Sequence, residues 1–317
     1  MKFAWLFPGQ GSQAVGMAGD LARDFPAAKA VFDRADAALG EKLSKLMLEG
    51  PEAELTLTAN AQPAIVTASI AALEAIRSEW GSSLDTPLFA AGHSLGEYSA
   101  LVASGALELE DAIRIVRARG RAMQEAVPPG VGAMAAIMGV DDATQLEALC
   151  QDVARETSGV VTCANFNAPG QIVVAGAAAS VARLNERVGE LKGKAIPLKV
   201  SAPFHCSLMA PAAKVVAAEL EKVVVKPLAF PVVANVDAKP NHEPSRVKEL
   251  LVRQVDGAVR WEQAIRVMVE NGVTHAIEIG PGKVLAGLGK RIARDLKMVS
   301  VGDPAAVHAL GAFLGRN

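Results

Sequence analysis

The chain has 317 residues, 51% hydrophobic and 21% charged, with a formal net charge of −2. That length can bury one large core or two moderate ones, and the near-neutral balance offers no basic field to nucleic acid or an anionic membrane. Three cysteines without a CxxC pair and five histidines without HExxH spacing argue against a disulfide framework and a metal site, and suit a reducing cytosol.

Residues 2–7 form a short apolar run that Pro8 stops too early for a signal peptide, so a buried strand is expected there, followed by a glycine-rich loop. Helical periodicity follows over 31–39 and 63–80. A second short strand, 88–91, ends at a serine, and helices are expected over 95–104 and 110–126. Val127-Pro128-Pro129-Gly130 is strong punctuation. Beyond it the expected order is strand 132–140, a helix capped by Asp141 or Asp142 and running to about Thr157, strands 160–164 and 171–175 around Asn167-Ala168-Pro169-Gly170, helix 177–191 and strand 195–200. That β-α-β-β-α-β order is the ferredoxin-like unit, here placed inside a larger α/β domain. The boundaries are 128–199 for the small domain, with 1–127 and 200–317 forming the large one. Helices are then expected over 207–223, 246–255 and 261–271, and a strand over 273–279 before Gly280-Pro281-Gly282. Two long uncharged stretches, 55–73 and 157–182, are broken by Asn60, Gln62 and Pro63 and by Asn165, Asn167, Pro169 and Gly170, so neither is read as a membrane span.

Ser94 lies in Gly92-His93-Ser94-Leu95-Gly96 between a predicted strand and a predicted helix, the setting of a nucleophile on a sharp turn. The glycines let strand and helix approach, and the helix N-terminus leaves N–H groups unpaired, notably that of Leu95, where an oxyanion would develop. The other reading is an ordinary serine on a tight turn. A serine nucleophile needs a base. His93 is its neighbour and points away on such a turn; His242 lies in a polar loop, His275 in a strand and His308 in the terminal helix. His205 follows Phe204 where a strand gives way to a loop and a helix, a position active-site residues favour in α/β folds. On residues alone it is equally a base or a structural histidine. The adjacent Cys206 does not by itself make a Cys/His pair, because adjacency in sequence is not pairing in space.

On a helical projection of 113–126, Arg114, Arg117 and Arg121 share one side while Arg119 falls among Ala112, Ile115, Val116 and Met123. A buried arginine requires an anion, either a structural salt-bridge partner or a substrate carboxylate held in bidentate fashion. The loop Gly9-Gln10-Gly11-Ser12-Gln13-Ala14 matches the dinucleotide fingerprint, but 25–39 reads as helix where that unit's second strand should stand. A better use of the loop is a backbone N–H, such as that of Gln10, aimed at the same oxyanion as Leu95.

FPGQGSQ (7–13), GHSLGEYSA (92–100), Arg119-Gly120 followed by MQEA (123–126), GAMAA (132–136), NFNAPGQ (165–171), Pro203-Phe204-His205-Cys206 and IGPGKVL (279–285) occur in that order. Together, from about residue 3 to about residue 290, they closely resemble the malonyl-CoA:acyl carrier protein transacylase family. The resemblance implies an α/β-hydrolase-like core with a ferredoxin-like insert. It implies Ser94 as nucleophile, His205 as base, Arg119 on the malonyl carboxylate, the N–H groups of Gln10 and Leu95 as oxyanion hole, and the backbone carbonyl of Gln254 orienting the histidine. It implies ping-pong transfer from malonyl-CoA to acyl carrier protein in fatty acid synthesis, in the cytoplasm, with no metal or cofactor beyond the coenzyme A thioester itself. A stand-alone polyketide acyltransferase and a serine thioester hydrolase are the rival expectations, and Phe204 favours malonyl over a branched group.

Overall fold

The structure is a computed structural model that describes residues 1–200 and 202–315. Ser201, part of the loop predicted to carry His205, lies outside the described residues, as do Arg316 and Asn317. The first half of the chain forms β1 (Phe3–Phe7), α1 (Gly19–Asp24), α2 (Pro26–Leu39), α3 (Leu43–Glu49), α4 (Glu52–Thr56), α5 (Thr58–Trp80), β2 (Phe89–Gly92), α6 (Gly96–Ala103) and α7 (Leu109–Glu125). Next come β3 (Gly132–Met138), α8 (Ala143–Thr157), β4 (Val161–Ala168), β5 (Gln171–Ala177), α9 (Ala178–Arg187) and β6 (Lys194–Pro197). The remainder forms α10 (Ala210–Glu221), β7 (Val232–Val233), β8 (Pro240–Asn241), α11 (Pro244–Asp256), α12 (Trp261–Glu270), β9 (His275–Ile279), α13 (Val284–Ile292), β10 (Lys297–Val301) and α14 (Pro304–Phe313).

Two sheets organise an α/β molecule. The larger has the order β10-β9-β1-β2-β7-β8, parallel throughout except for β8, which runs antiparallel to β7. A central parallel strand is covered on both faces, so it reads as a continuous apolar run, and all of Phe3–Phe7 is buried. Helix α5 contains most of the uncharged stretch 55–73. It is buried on nearly every side, as expected of a helix apolar all round, and among the described residues no helix is long and apolar enough to cross a membrane. Helix α7 crosses the start of α5 at Gly120, where a Cβ would stand 2.6 Å from the Thr58 carbonyl oxygen. That close approach sets Arg119 against α5.

The smaller sheet is antiparallel, in the order β4-β5-β3-β6. Period-two alternation along β3 divides its side chains between two faces. Ala135 and Ile137 pack beneath α8 and α9 with Leu146, Val153 and Leu184. Met134, with Val173 of β5, joins the main core. The smaller sheet is tied through β4 to the segment between α11 and α12, where the Phe166 N–H donates to the Val259 carbonyl and the Val259 N–H donates to that of Ala164.

Several expectations shift. The strand expected over 195–200 stops at Pro197. The strand expected over 160–164 runs on to Ala168, with register shifts between Cys163 and Asn165 and between Phe166 and Ala168. Bulges of this kind re-aim side chains; the strand takes in Asn165, beyond its predicted end, and Asn167, expected in the turn. Arg117, expected beside Arg114 and Arg121 on the polar side of α7, is only 8% exposed, because Asn60 and Glu41 reach over and bond its guanidinium.

Candidate active site

The carboxyl ends of the parallel strands β1, β2 and β7 and the first turn of α6 converge, the place where open α/β sheets collect ligands. Between them and the smaller sheet lies a cleft of about 290 Å3 lined by Gln10, Gln62, Ser94, Arg119, Phe204 and His205, with Met134 and Val173 from the smaller sheet.

Ser94 stands on the turn from β2 into α6 with a φ of 51°, left-handed backbone that costs a non-glycine residue energy unless its surroundings enforce it. The surroundings do so by proximity. A Cβ on Gly92 would lie 1.9 Å from the Gly96 carbonyl, and one on Gly96 would lie 2.3 Å from the Phe7 carbonyl oxygen. Only glycine lets β2, α6 and the end of β1 meet this closely.

His205 Nε2 is 2.8 Å from Ser94 Oγ. Its Nδ1 is 2.9 Å from the Gln254 carbonyl oxygen and 3.2 Å from that of Gly257. Both carbonyls are acceptors only, so Nδ1 carries the proton and Nε2 presents a lone pair to the serine hydroxyl. The Gln254 carbonyl is available because it lies in the last turn of α11, where carbonyls lack intrahelical partners. Burial, reinforced by the charge on Arg119, pulls the His205 pKa down to about 3, so the imidazole is neutral at ordinary pH. His205 also has left-handed backbone, with a φ of 60°.

Arg119 is 1% exposed. Its Nη1 donates to Gln62 Oε1 at 2.8 Å, and its Nη2 donates to Gln254 Oε1 at 2.9 Å and to Ser94 Oγ at 3.1 Å. Among the described residues its Nε has no hydrogen-bond partner and no carboxylate lies within ion-pair distance of the guanidinium. Burial depresses its pKa from the ordinary arginine value. The structural salt bridge that sequence left open is therefore absent among the described residues.

The N–H groups of Gln10 and Leu95 take no part in the backbone or side-chain hydrogen bonds of the described residues. Gln10 is anchored by its side chain, which donates to Thr58 Oγ1 at 3.1 Å. The predicted site residues Ser94, His205, Arg119, Gln10 and Gln254 thus meet, with Leu95 beginning the helix behind the serine.

Sequence reasoning missed the support for this cluster. The Gln254 side chain donates to the Ser94 carbonyl at 2.9 Å and to Glu97 Oε2 at 2.8 Å. Glu97 is buried, and burial pushes its carboxyl up to about 7 against those donors and the backbone N–H of Asn235. Gln62 and Asn235 were also unassigned. Glu97 could have been singled out as an acid one helical turn from the serine; Gln62 and Asn235 carry no local signal. His93 turns from Ser94 as expected and meets Asn167 Oδ1 through Nε2 at 2.8 Å. His275 is a strand residue at 9% exposure, and His308 pairs with Glu79 on the surface. Among the described residues no cluster of three or more His, Cys, Asp or Glu side chains is placed to hold a metal.

The chain is similar to known proteins over nearly its whole length. The acyl transferase domain family matches residues 4–310. A malonyl CoA-acyl carrier protein transacylase of Bacillus subtilis is 50% identical over 310 residues, covering 97% of this chain and 95% of that protein. The crystal structure of an acyl-carrier-protein S-malonyltransferase from Bartonella henselae superposes with a TM-score of 0.94 at 45% identity, covering 99% of this chain and 100% of that one. A malonyl-transacylase solved in complex with a type II polyketide synthase acyl-carrier protein superposes with a TM-score of 0.91 at 43% identity, covering 98% of each chain.

Proposed function

The chain belongs to the malonyl-CoA:acyl carrier protein transacylase family, and from that premise and the cleft geometry we propose that Ser94 carries the malonyl group between two thiols. The protein transfers malonyl from malonyl-CoA to the phosphopantetheine thiol of acyl carrier protein, in fatty acid biosynthesis. His205 Nε2 takes the hydroxyl proton as Ser94 Oγ attacks the thioester carbonyl. The N–H groups of Gln10 and Leu95 hold the tetrahedral oxyanion. Coenzyme A leaves as thiol with the proton from His205, and a malonyl-serine ester remains. The carrier thiol then gives its proton to His205 and attacks the ester, which restores Ser94. Every role falls to a side chain or backbone group of this chain, so the reaction as proposed needs no metal or redox cofactor.

One observation supports this reading above the others: Arg119, buried beside Ser94 with neutral hydrogen-bond partners and no carboxylate partner among the described residues. A cation so placed suits an acyl group ending in a free carboxylate. The six-stranded sheet with its serine turn supports an α/β-hydrolase-like core formed by 1–127 and 200–317. The β4-β5-β3-β6 order with α8 and α9 supports 128–199 as a ferredoxin-like insert. The cytoplasm is the proposed location. The likeness to a transacylase solved with a polyketide carrier favours one further reading, that carriers of that class are also served.

Intact-protein mass after mixing with malonyl-CoA, and again after adding holo acyl carrier protein, tests the mechanism. A malonyl adduct that moves to the carrier is the expected result. An adduct that decays equally without carrier, releasing malonate, makes the protein a thioester hydrolase.

A further inference from the structure

We infer that Asn235 is a positioning residue for the nucleophile: its carboxamide clips the Ser94 turn into its left-handed conformation and removes the Ser94 N–H from the oxyanion hole. The inference rests on the reading of Ser94 as nucleophile. Asn235 follows β7, the strand beside β2, and is 1% exposed. Its Oδ1 accepts the Ser94 N–H at 2.7 Å, and its Nδ2 donates to the Gly92 carbonyl at 2.7 Å. One planar amide thereby bridges residues on either side of His93, as a neighbouring strand would bridge a pair of peptide groups. The turn needs such a partner, because left-handed backbone at a non-glycine residue persists only where the surroundings over-determine it.

The clip is itself held. The Asn235 N–H donates to Glu97 Oε2 at 3.0 Å, and its carbonyl accepts the Arg260 N–H at 2.9 Å. Glu97 lies in the first turn of α6, so the helix that follows the serine also anchors the loop that clips it. The second consequence is chemical. With the Ser94 N–H engaged, the groups left to meet an oxyanion are those of Leu95 and Gln10, which have no partners among the described residues. Asn235 touches no reacting atom and acts only through Ser94.

Rapid-quench mass spectrometry of the malonyl adduct, normalised to active sites, gives the acylation rate constant, and its dependence on malonyl-CoA gives apparent affinity. Asn235→Ala should slow acylation by about ten- to a hundredfold, the range expected from losing control of a strained turn, with apparent affinity within about twofold because Arg119 is untouched. Asn235→Asp guards against a variant that fails to fold and supplies a pH signature. Ionised, an aspartate accepts from Ser94 but repels the Gly92 carbonyl; protonated, it accepts and donates as the amide does. The charged and titratable groups near it are Glu97, Asp237, which acts electrostatically on Glu97, and Arg119. Burial at this 1%-exposed position and the two acids favour the protonated form against the opposing pull of Arg119, while His93 and His205 are kept neutral by their own burial. Acylation by Asn235→Asp should therefore rise about tenfold or more from pH 8 to pH 6, while the wild type stays level.

Acylation at the wild-type rate and pH profile in both variants, even with a lowered melting temperature, would make Asn235 merely structural and overturn the inference. Absence of any serine adduct in the wild type would instead overturn the reading of Ser94, so the two failures are distinguishable.

Discussion

Arg119 Nη2 donates to Ser94 Oγ across 3.1 Å while the same nitrogen reaches the Gln254 amide oxygen at 2.9 Å. The cation of the cleft is therefore held against the nucleophile by neutral hydrogen-bond partners, with the Glu97 carboxyl acting on it only at a distance, and a substrate carboxylate would give it a direct ion-pair partner. Arg119→Ala should lower malonyl transfer by roughly 10²-fold, since a charged hydrogen-bonded contact is worth a few kcal/mol. Acetyl transfer should be spared or improved. Parallel kcat/KM measurements with malonyl-CoA and acetyl-CoA decide this; equal losses would make the arginine a packing element.

Gln254 serves the site twice, and the two uses separate. Its backbone carbonyl meets His205 Nδ1, while its side chain holds Arg119, the Ser94 carbonyl and Glu97. Gln254→Ala keeps the carbonyl and removes the amide. KM for malonyl-CoA should rise about tenfold through a loosened Arg119, with a smaller change in kcat. A collapse of kcat that is equal for malonyl and acetyl would show that the side chain governs the histidine instead.

Much of this arrangement is legible in the residues, for reasons that differ by position. The serine turn is legible because both glycines flank Ser94 in sequence, although only the contact that requires Gly92, with Gly96 and Glu97, is local; Gly96 is required by the Phe7 and Pro8 carbonyls of a distant segment. Arg119 is legible because helical periodicity places it among apolar neighbours. Arg117 misleads the same projection, because its burial comes from Asn60 and Glu41 on other elements. Asn235 lies 141 positions from Ser94 and Gln62 lies 57 from Arg119; nothing in their own neighbourhoods signals those pairings. Strand β7, only two residues long, has no periodicity to read, yet it delivers Asn235.

Gly92 offers a test of the turn's packing. An alanine Cβ there would lie 1.9 Å from the Gly96 carbonyl and 2.4 Å from the Glu97 nitrogen, backbone atoms that cannot yield without parting β2 from α6. Gly92→Ala should cost about 3 kcal/mol or more, or prevent folding. Gly287, within α13, meets nothing within 4 Å; Gly287→Ala should instead gain about 0.5 to 1 kcal/mol from helix propensity. Urea unfolding of the two variants beside the wild type checks both signs.

Two buried groups beside the serine titrate in opposite senses, and the signs can be separated. His205 is held down to about 3 by burial and Arg119, so as pH falls below the ordinary histidine value the unfolded chain takes up a proton the folded one refuses, and stability falls. Glu97 is raised by burial from 4.5 to about 7. Its contribution is therefore fully present below 4.5 and is lost as pH rises toward 7. Between about 4.5 and 6.5 the two effects oppose each other. Glu97→Gln keeps an oxygen acceptor for the Asn235 and Gln254 donors but removes the titration. Relative to wild type it should gain stability steadily as pH rises from 4.5 to 7, by about 1.4 kcal/mol per pH unit at most. Unfolding free energies of the pair measured across that window check the slope. Acylation by the wild type should meanwhile stay level from pH 8 to pH 6, because the His205 lone pair is already free. A fall in acylation centred near 6.5 that persists in Glu97→Gln, where the Glu97 titration is removed, would mean that His205 titrates like an exposed imidazole and that its burial does not hold it neutral.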